Sequence, residues 1–263
     1  MRSLFRAFDA GRVRYLVISG QASVLYGGAF FTQDLDLWVK PTVENVRVLL
    51  IALARLRARV HKLTPPLSVR NLKRGHGFHF LVPQRGNPPL YLDIMGQPPR
   101  VSGFASAWRR RVRLPTPWGS LPVVSIHDLI ELKKTNRPSD YEVISRLAMI
   151  QLQKEKRPSV RLIRWALERV FRFEDLWSIV ASHPDLVRRA HPPPAASLLL
   201  RIRTQEREPD LSDIAKASAL LLRFAEHLQD KGRRYWHPRL DELRRLRAAG
   251  ELLPEGTPVA ALT

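Results

Sequence analysis

The sequence predicts an α/β chain of the α+β kind. A mixed sheet with covering helices is expected over residues 1–156 and an all-helical domain over residues 157–263. Three observations predict this. Short apolar runs bounded by Gly, Pro and Asn recur as far as residue 124, the pattern of strands. Apolar residues at three- and four-residue spacing lie between and after them, the pattern of amphipathic helices. Beyond Lys156 the strand signals stop and only helical ones remain. With 263 residues and 44% hydrophobic content, the chain can bury a sizeable core, in one large domain or two smaller ones.

In chain order, residues 3–10 read as a short amphipathic helix and residues 14–18 as the first strand. Residues 22–26 read as a helical turn ended by Gly27 and Gly28. Residues 34–39 alternate acidic and apolar side chains, as a half-buried strand does. Pro41 and Thr42 open a helix that runs to about residue 60, with Val46, Leu49, Leu50, Leu53 and Leu56 on its apolar face. Residues 78–82 and 90–95 read as strands around a Pro- and Gly-rich turn, and residues 109–114 and 120–124 as a second pair. Ser125 suits the N-cap of a helix carrying Lys133, and Pro138 the first turn of a helix reaching about residue 154. Helices are then expected over residues 160–171, 173–182, 196–205, 211–229 and 240–249, with a break at His191 to Pro194.

The net charge is +20, from 44 Lys and Arg against 24 Asp and Glu. Most of the cations are Arg, whose planar fork suits phosphate. The excess favours a nucleic-acid partner, with a coding bias toward Arg and Pro as the alternative. Arg161, Arg164, Arg169 and Arg172 form a basic run, and a second one follows residue 233. The chain has no cysteine, which excludes disulfides and thiolate metal sites. The first nine residues lack a long apolar core and a cleavage site, and no apolar run is long enough to span a bilayer. A cytoplasmic protein without membrane association is expected.

The most informative segment runs from Ser19 to Val39. An apolar run ends at Gly20, and Asp34 and Asp36 follow within a second apolar run. Alternate strand residues share a face, so the two carboxylates project together, roughly 7 Å apart. Like charges so placed repel and are poor structural elements. They suit Mg²⁺, which takes one or two carboxylates together with substrate phosphates. The alternative is a surface strand with two solvated acids. Gly20, having no side chain, would let the backbone N–H groups of the Gly20–Gln21 turn approach a phosphate chain.

This arrangement resembles the nucleotidyltransferase superfamily of DNA polymerase β. That superfamily carries an apolar residue, Gly and a small residue, a spacer of about a dozen residues, and then Asp-apolar-Asp/Glu-apolar. Gly20, Asp34, Leu35, Asp36 and Leu37 fit, and Gln21 stands where a second small residue is usual. The resemblance implies a third carboxylate on a later strand, and Asp93 between Leu92 and Ile94 matches it. The segment from Asp128 to Tyr141 is similar to the Lys…Arg-x-x-Asp helix of bacterial members. Those include toxins of toxin–antitoxin and abortive-infection systems. The resemblance spans about residues 12–150 and implies a nucleotidyltransferase core ahead of the helical domain. It implies Asp34, Asp36 and Asp93 as ligands of Mg²⁺ or Mn²⁺. Asp34, Asp36, Asp93 and Lys133 are the implied catalytic set, and Gly20, Gln21, Ser23, Lys133 and Arg137 the implied contacts to a nucleoside triphosphate such as ATP. Asp140 would orient Arg137 from one helical turn away.

The expected reaction is transfer of a nucleoside monophosphate to an acceptor, RNA at the 3′ end of tRNA being favoured, with a neighbouring antitoxin protein as a further partner. Three alternatives compete: a small-molecule acceptor such as an antibiotic, a protein side chain, and a non-catalytic basic RNA-binding module. A polycationic antibiotic is disfavoured by the charge of +20. His76 and His79 lack a third ligand at useful spacing and read as ordinary loop and strand residues. Ser23 has no His and acid pair in a nucleophile arrangement.

Overall fold

The apolar run before Gly20 becomes a central strand. In a computed structural model, which describes residues 1–262, β1 (Tyr15–Val17) is buried along its whole length. It pairs antiparallel with β2 (Asp34–Val39). The protein is mixed α/β, with a seven-stranded mixed sheet and twelve α-helices among the described residues. It divides into two compact units, residues 1–25, 29–132 and 235–263, and residues 26–28 and 133–234.

The first unit holds the sheet. Its other strands are β3 (Arg59–Val60), β4 (Gly77–Gln84), β5 (Asn87–Met95), β6 (Val112–Thr116) and β7 (Gly119–Val123). The order is β3-β4-β5-β2-β1-β7-β6; β2–β5 and β1–β7 are parallel and the other pairs antiparallel. Period two sets the faces. Leu35, Leu37, Phe78, Phe80, Leu92 and Ile94 are all buried, while Asp34, Asp36, His79 and Asp93 alternate with them and stay partly exposed.

Helices cover the sheet: α1 (Arg2–Ala10), α2 (Ser19–Tyr26), α3 (Val43–Arg55), α4 (Val69–Lys73), α5 (Phe104–Arg110) and α6 (Ile126–Lys133). In α3, Val46, Leu49, Ala52 and Leu53 are buried at helical spacing. The helix expected to reach residue 60 ends five residues earlier, because Arg57 adopts φ +54 and frees Arg59 and Val60 to pair with β4. Arg109 and Arg110, expected in a strand, close α5 instead; there Arg110 makes a two-pronged contact with Asp128 at 3.2 and 2.8 Å. Ser125 caps α6: its hydroxyl accepts from the Asp128 N–H at 3.1 Å.

The C-terminal segment returns to this unit. After Gly250, residues 251–259 lie along β3, with the N–H groups of Leu253, Gly256 and Val259 donating to Thr64, Val60 and Ala58, each at 2.9 Å. The Val60 N–H donates back to Thr257 at 2.9 Å. An edge strand otherwise exposes unpaired backbone groups. Here the strap satisfies them, and Val259 is fully buried.

The second unit is helical: α7 (Ser139–Gln153), α8 (Val160–Leu167), α9 (Phe173–Ser182), α10 (Pro184–Arg189), α11 (Pro194–Thr204) and the first part of α12 (Leu211–Ala248). The boundary expected near residue 156 lies within this unit, between α7 and α8, whereas the two units divide after Leu132 and again after Arg234. Two helices were expected over residues 211–249, but α12 is continuous through Pro238. Arg239, Leu240, Glu242 and Leu243, good helix formers that follow it, carry the helix past the one lost N–H donor. Among the described residues no helix is long and apolar enough to cross a membrane.

Candidate active site

The alternation of Asp and Leu in β2 presents two carboxylates on the sheet face opposite the Leu35–Leu37 core. On the parallel neighbour β5, Asp93 stands in register with Asp36, and Tyr91 with Asp34. Neighbouring strands lie about 4.8 Å apart, so Asp36 and Asp93 start from adjacent points on one face. On the far side of β5, His79 of β4 is in register with Asp93. The Asp93 carboxylate can only accept, so His79 Nδ1–H donates to Oδ1, at 2.7 Å. The site is therefore a row across three strands, His79–Asp93–Asp36, with Asp34 one step along β2. The His79 side chain and the Asp93 side chain are each 28% exposed, partly open to solvent yet held by the sheet.

The loop that leads into β2 packs on the first turn of α2. Ser19 takes φ +54 to turn the chain from β1 into the helix. A side chain at Gly20 would stand 2.5 Å from Thr32 Oγ1, so the α2–β2 loop packs on it as only glycine permits. The Ser23 hydroxyl is buried and donates to the Ser19 carbonyl at 2.8 Å, and Gln21 is buried too. The Ser23 hydrogen bond closes this turn. The same loop leaves Phe31 76% exposed, three residues before Asp34.

Lys133, Arg137 and Asp140 lie in the second unit, where they form a cluster of their own. The buried Lys133 ammonium meets Asp140 Oδ1 at 2.8 Å, and Arg137 Nε donates to Oδ2 at 3.0 Å. The Thr135 hydroxyl donates to the same oxygen at 2.5 Å. Burial pushes the Asp140 carboxyl upward, but the Lys133 charge and hydrogen bond, the Thr135 hydroxyl and Arg137 outweigh it and hold the carboxyl below its ordinary value. Asp140 thus engages Lys133 as well as the expected Arg137.

The carboxylate row offers hard oxygen donors of the kind Mg²⁺ or Mn²⁺ takes, with one or two carboxylates supplemented by substrate phosphates. Among the described residues no group of three or more His, Asp or Glu side chains is gathered closely enough to hold a metal ion alone. The register pair Asp36–Asp93 places two carboxylates on adjacent strands, with Asp34 one step along β2.

His79 is the residue that sequence reasoning set aside. Its alignment with Asp93 depends on the β4–β5 register, a non-local fact. The usable signal was the period-two placement of His79 between Phe78 and Phe80, which puts it on the polar face. His76, buried just before β4, lies outside the row and 3.2 Å from Glu242. Compared with protein-family models and with curated proteins, the chain matches none of them.

Proposed function

We propose that the protein is a metal-dependent nucleotidyltransferase that moves a nucleoside monophosphate from a nucleoside triphosphate to an RNA hydroxyl. The observation that carries this reading is the in-register pair Asp36–Asp93 on parallel strands, with Asp34 on the same face and the Gly20 turn beside it. Carboxylates massed on one open sheet face cost stability through repulsion, which favours a chemical use for them.

In the proposed reaction the acceptor hydroxyl oxygen bonds to the α-phosphorus as the bond to the bridging β-phosphate oxygen breaks. Pyrophosphate leaves with that electron pair, and the hydroxyl proton passes to the Asp93 carboxylate. A metal ion held by Asp36 and Asp93 together with the triphosphate oxygens would neutralise charge on the attacking and leaving oxygens. His79 fixes the orientation of Asp93 through its hydrogen bond. The exposed Phe31 ring supplies a flat apolar face for the base of the incoming nucleotide.

An RNA acceptor agrees with the charge of +20, which a polycationic small molecule would oppose. Arg161 and Arg164 are exposed on α8 and add to the basic surface of the second unit. Incubation with Mg²⁺, each radiolabelled nucleoside triphosphate and total RNA tests the reading, through label appearing in RNA.

A further inference from the structure

The strap after α12 forms one side of an open cavity of about 760 Å³ within the first unit. Lys62, Leu63, His79, Arg247, Leu253 and Glu255 are among the residues that line it. Its lining is mainly aliphatic, from Leu63, Leu243, Leu252, Leu253 and Pro254, and includes the exposed cations Lys62 and Arg247. Among the described residues neither Lys62 nor Arg247 has a carboxylate partner, whereas Glu255 is engaged by His61 Nδ1 at 2.8 Å. One wall is His79, whose ring bonds the carboxylate assigned to the acceptor hydroxyl. Leu253, Pro254 and Glu255 line the cavity from the strap, which backbone hydrogen bonds pin to β3 and Thr64.

We infer that this cavity is the acceptor subsite and that it takes the terminal nucleotide of a single-stranded RNA. This rests on the nucleotidyltransferase reading and adds where the acceptor binds. The chemistry of the walls selects the ligand. An aliphatic lining accepts the face of a base, and the cations at Lys62 and Arg247 accept its phosphate. The terminal hydroxyl then points to the His79–Asp93 end. The volume lies within the roughly 300–1,000 Å³ typical of ligand sites. A polycation would meet like charge at both positions, and a plain hydrocarbon would leave both cations unpaired.

The test uses the full chain and a short single-stranded RNA carrying 4-thiouridine at its 3′ end. Irradiation should crosslink the 3′ base to peptides containing residues 62–63 or 243–255, and moving the thiouridine to the 5′ end should abolish that crosslink. Lys62→Glu together with Arg247→Glu should weaken binding, followed by fluorescence anisotropy, by about tenfold or more, and lower the log–log salt slope by about 0.7 per lost phosphate contact. Thermal unfolding checks that the variant is folded, and Arg247→Lys should restore part of the affinity. Crosslinks confined to other surfaces, unchanged affinity in the folded double variant, or displacement of the 3′ base by free nucleoside triphosphate would each overturn the subsite. Crosslinking needs no transfer chemistry. Correct crosslinks without transfer from any nucleoside triphosphate would therefore leave the subsite standing and remove the catalytic reading.

Discussion

Asp36 and Asp93 face one another directly across the parallel β2–β5 ladder, although 57 positions separate them in the chain (93 − 36). No local interaction accounts for that pairing; the sheet topology makes it. Both stand opposite buried side chains, Leu35 and Leu37 on β2 and Leu92 and Ile94 on β5, so the backbone fixes where they start.

Replacing Asp36 by Ala is predicted to lower nucleotide transfer by about 10²–10³-fold, the scale of removing one charge-stabilising group from a reaction centre. Carboxylate repulsion falls at the same time, so the thermal midpoint should stay within about 2 °C of wild type. Transfer kinetics and thermal unfolding of the same preparation check this. Near-native transfer in the variant would contradict the role given to Asp36.

Phe31→Ala is expected to leave stability unchanged, because that ring is 76% exposed. Its effect should fall on KM for the nucleoside triphosphate. A base–aromatic stack contributes about 1–3 kcal/mol, so KM should rise roughly 5- to 150-fold with little change in kcat. An unaltered KM would place the base elsewhere.

Lys133→Met should destabilise the protein by about 3 kcal/mol, since it strands the Asp140 carboxylate in a buried position with only Arg137 and Thr135. The double variant Lys133→Met, Asp140→Leu should recover much of that loss, because both buried charges are gone. Urea unfolding of the two variants measures the coupling. Loss of transfer without loss of stability would instead make Lys133 a substrate contact.

The same cluster predicts an acid limit. The folded-state pKa of Asp140 is depressed, so the unfolded chain binds the proton first, near the ordinary value of about 4. The stability it contributes is present above that value and is lost as pH falls through the folded-state pKa. Urea midpoints measured downward from about pH 5 should fall more steeply in wild type than in Asp140→Asn. Equal slopes would contradict the assignment.

Much of this was legible because the decisive signals are local. Residues 34–39 and 173–182 have the same bounds in sequence and structure, since alternation at period two and recurrence at 3.6 residues are written in adjacent side chains. The missed features depend on distant partners or on a single backbone angle. Leu56 continues the helical pattern of α3, yet the positive φ at Arg57 turns the chain into β3. The hydrogen bond from the Ser23 hydroxyl to the Ser19 carbonyl follows from a helix that begins at Ser19, a start that the sequence does not mark. The pairing of His79 with Asp93, and of residues 253–259 with β3, required knowing which strands meet.

The most direct measurement is incorporation of label from radiolabelled nucleoside triphosphates into RNA in the presence of Mg²⁺ or Mn²⁺, with wild type and Asp93→Asn side by side. The predicted result is label at an RNA 3′ end, abolished by chelation and by Asp93→Asn while the variant remains folded. No incorporation from any of the four triphosphates, or equal incorporation by folded Asp93→Asn, would contradict the assignment of the carboxylate row as a nucleotidyl-transfer site.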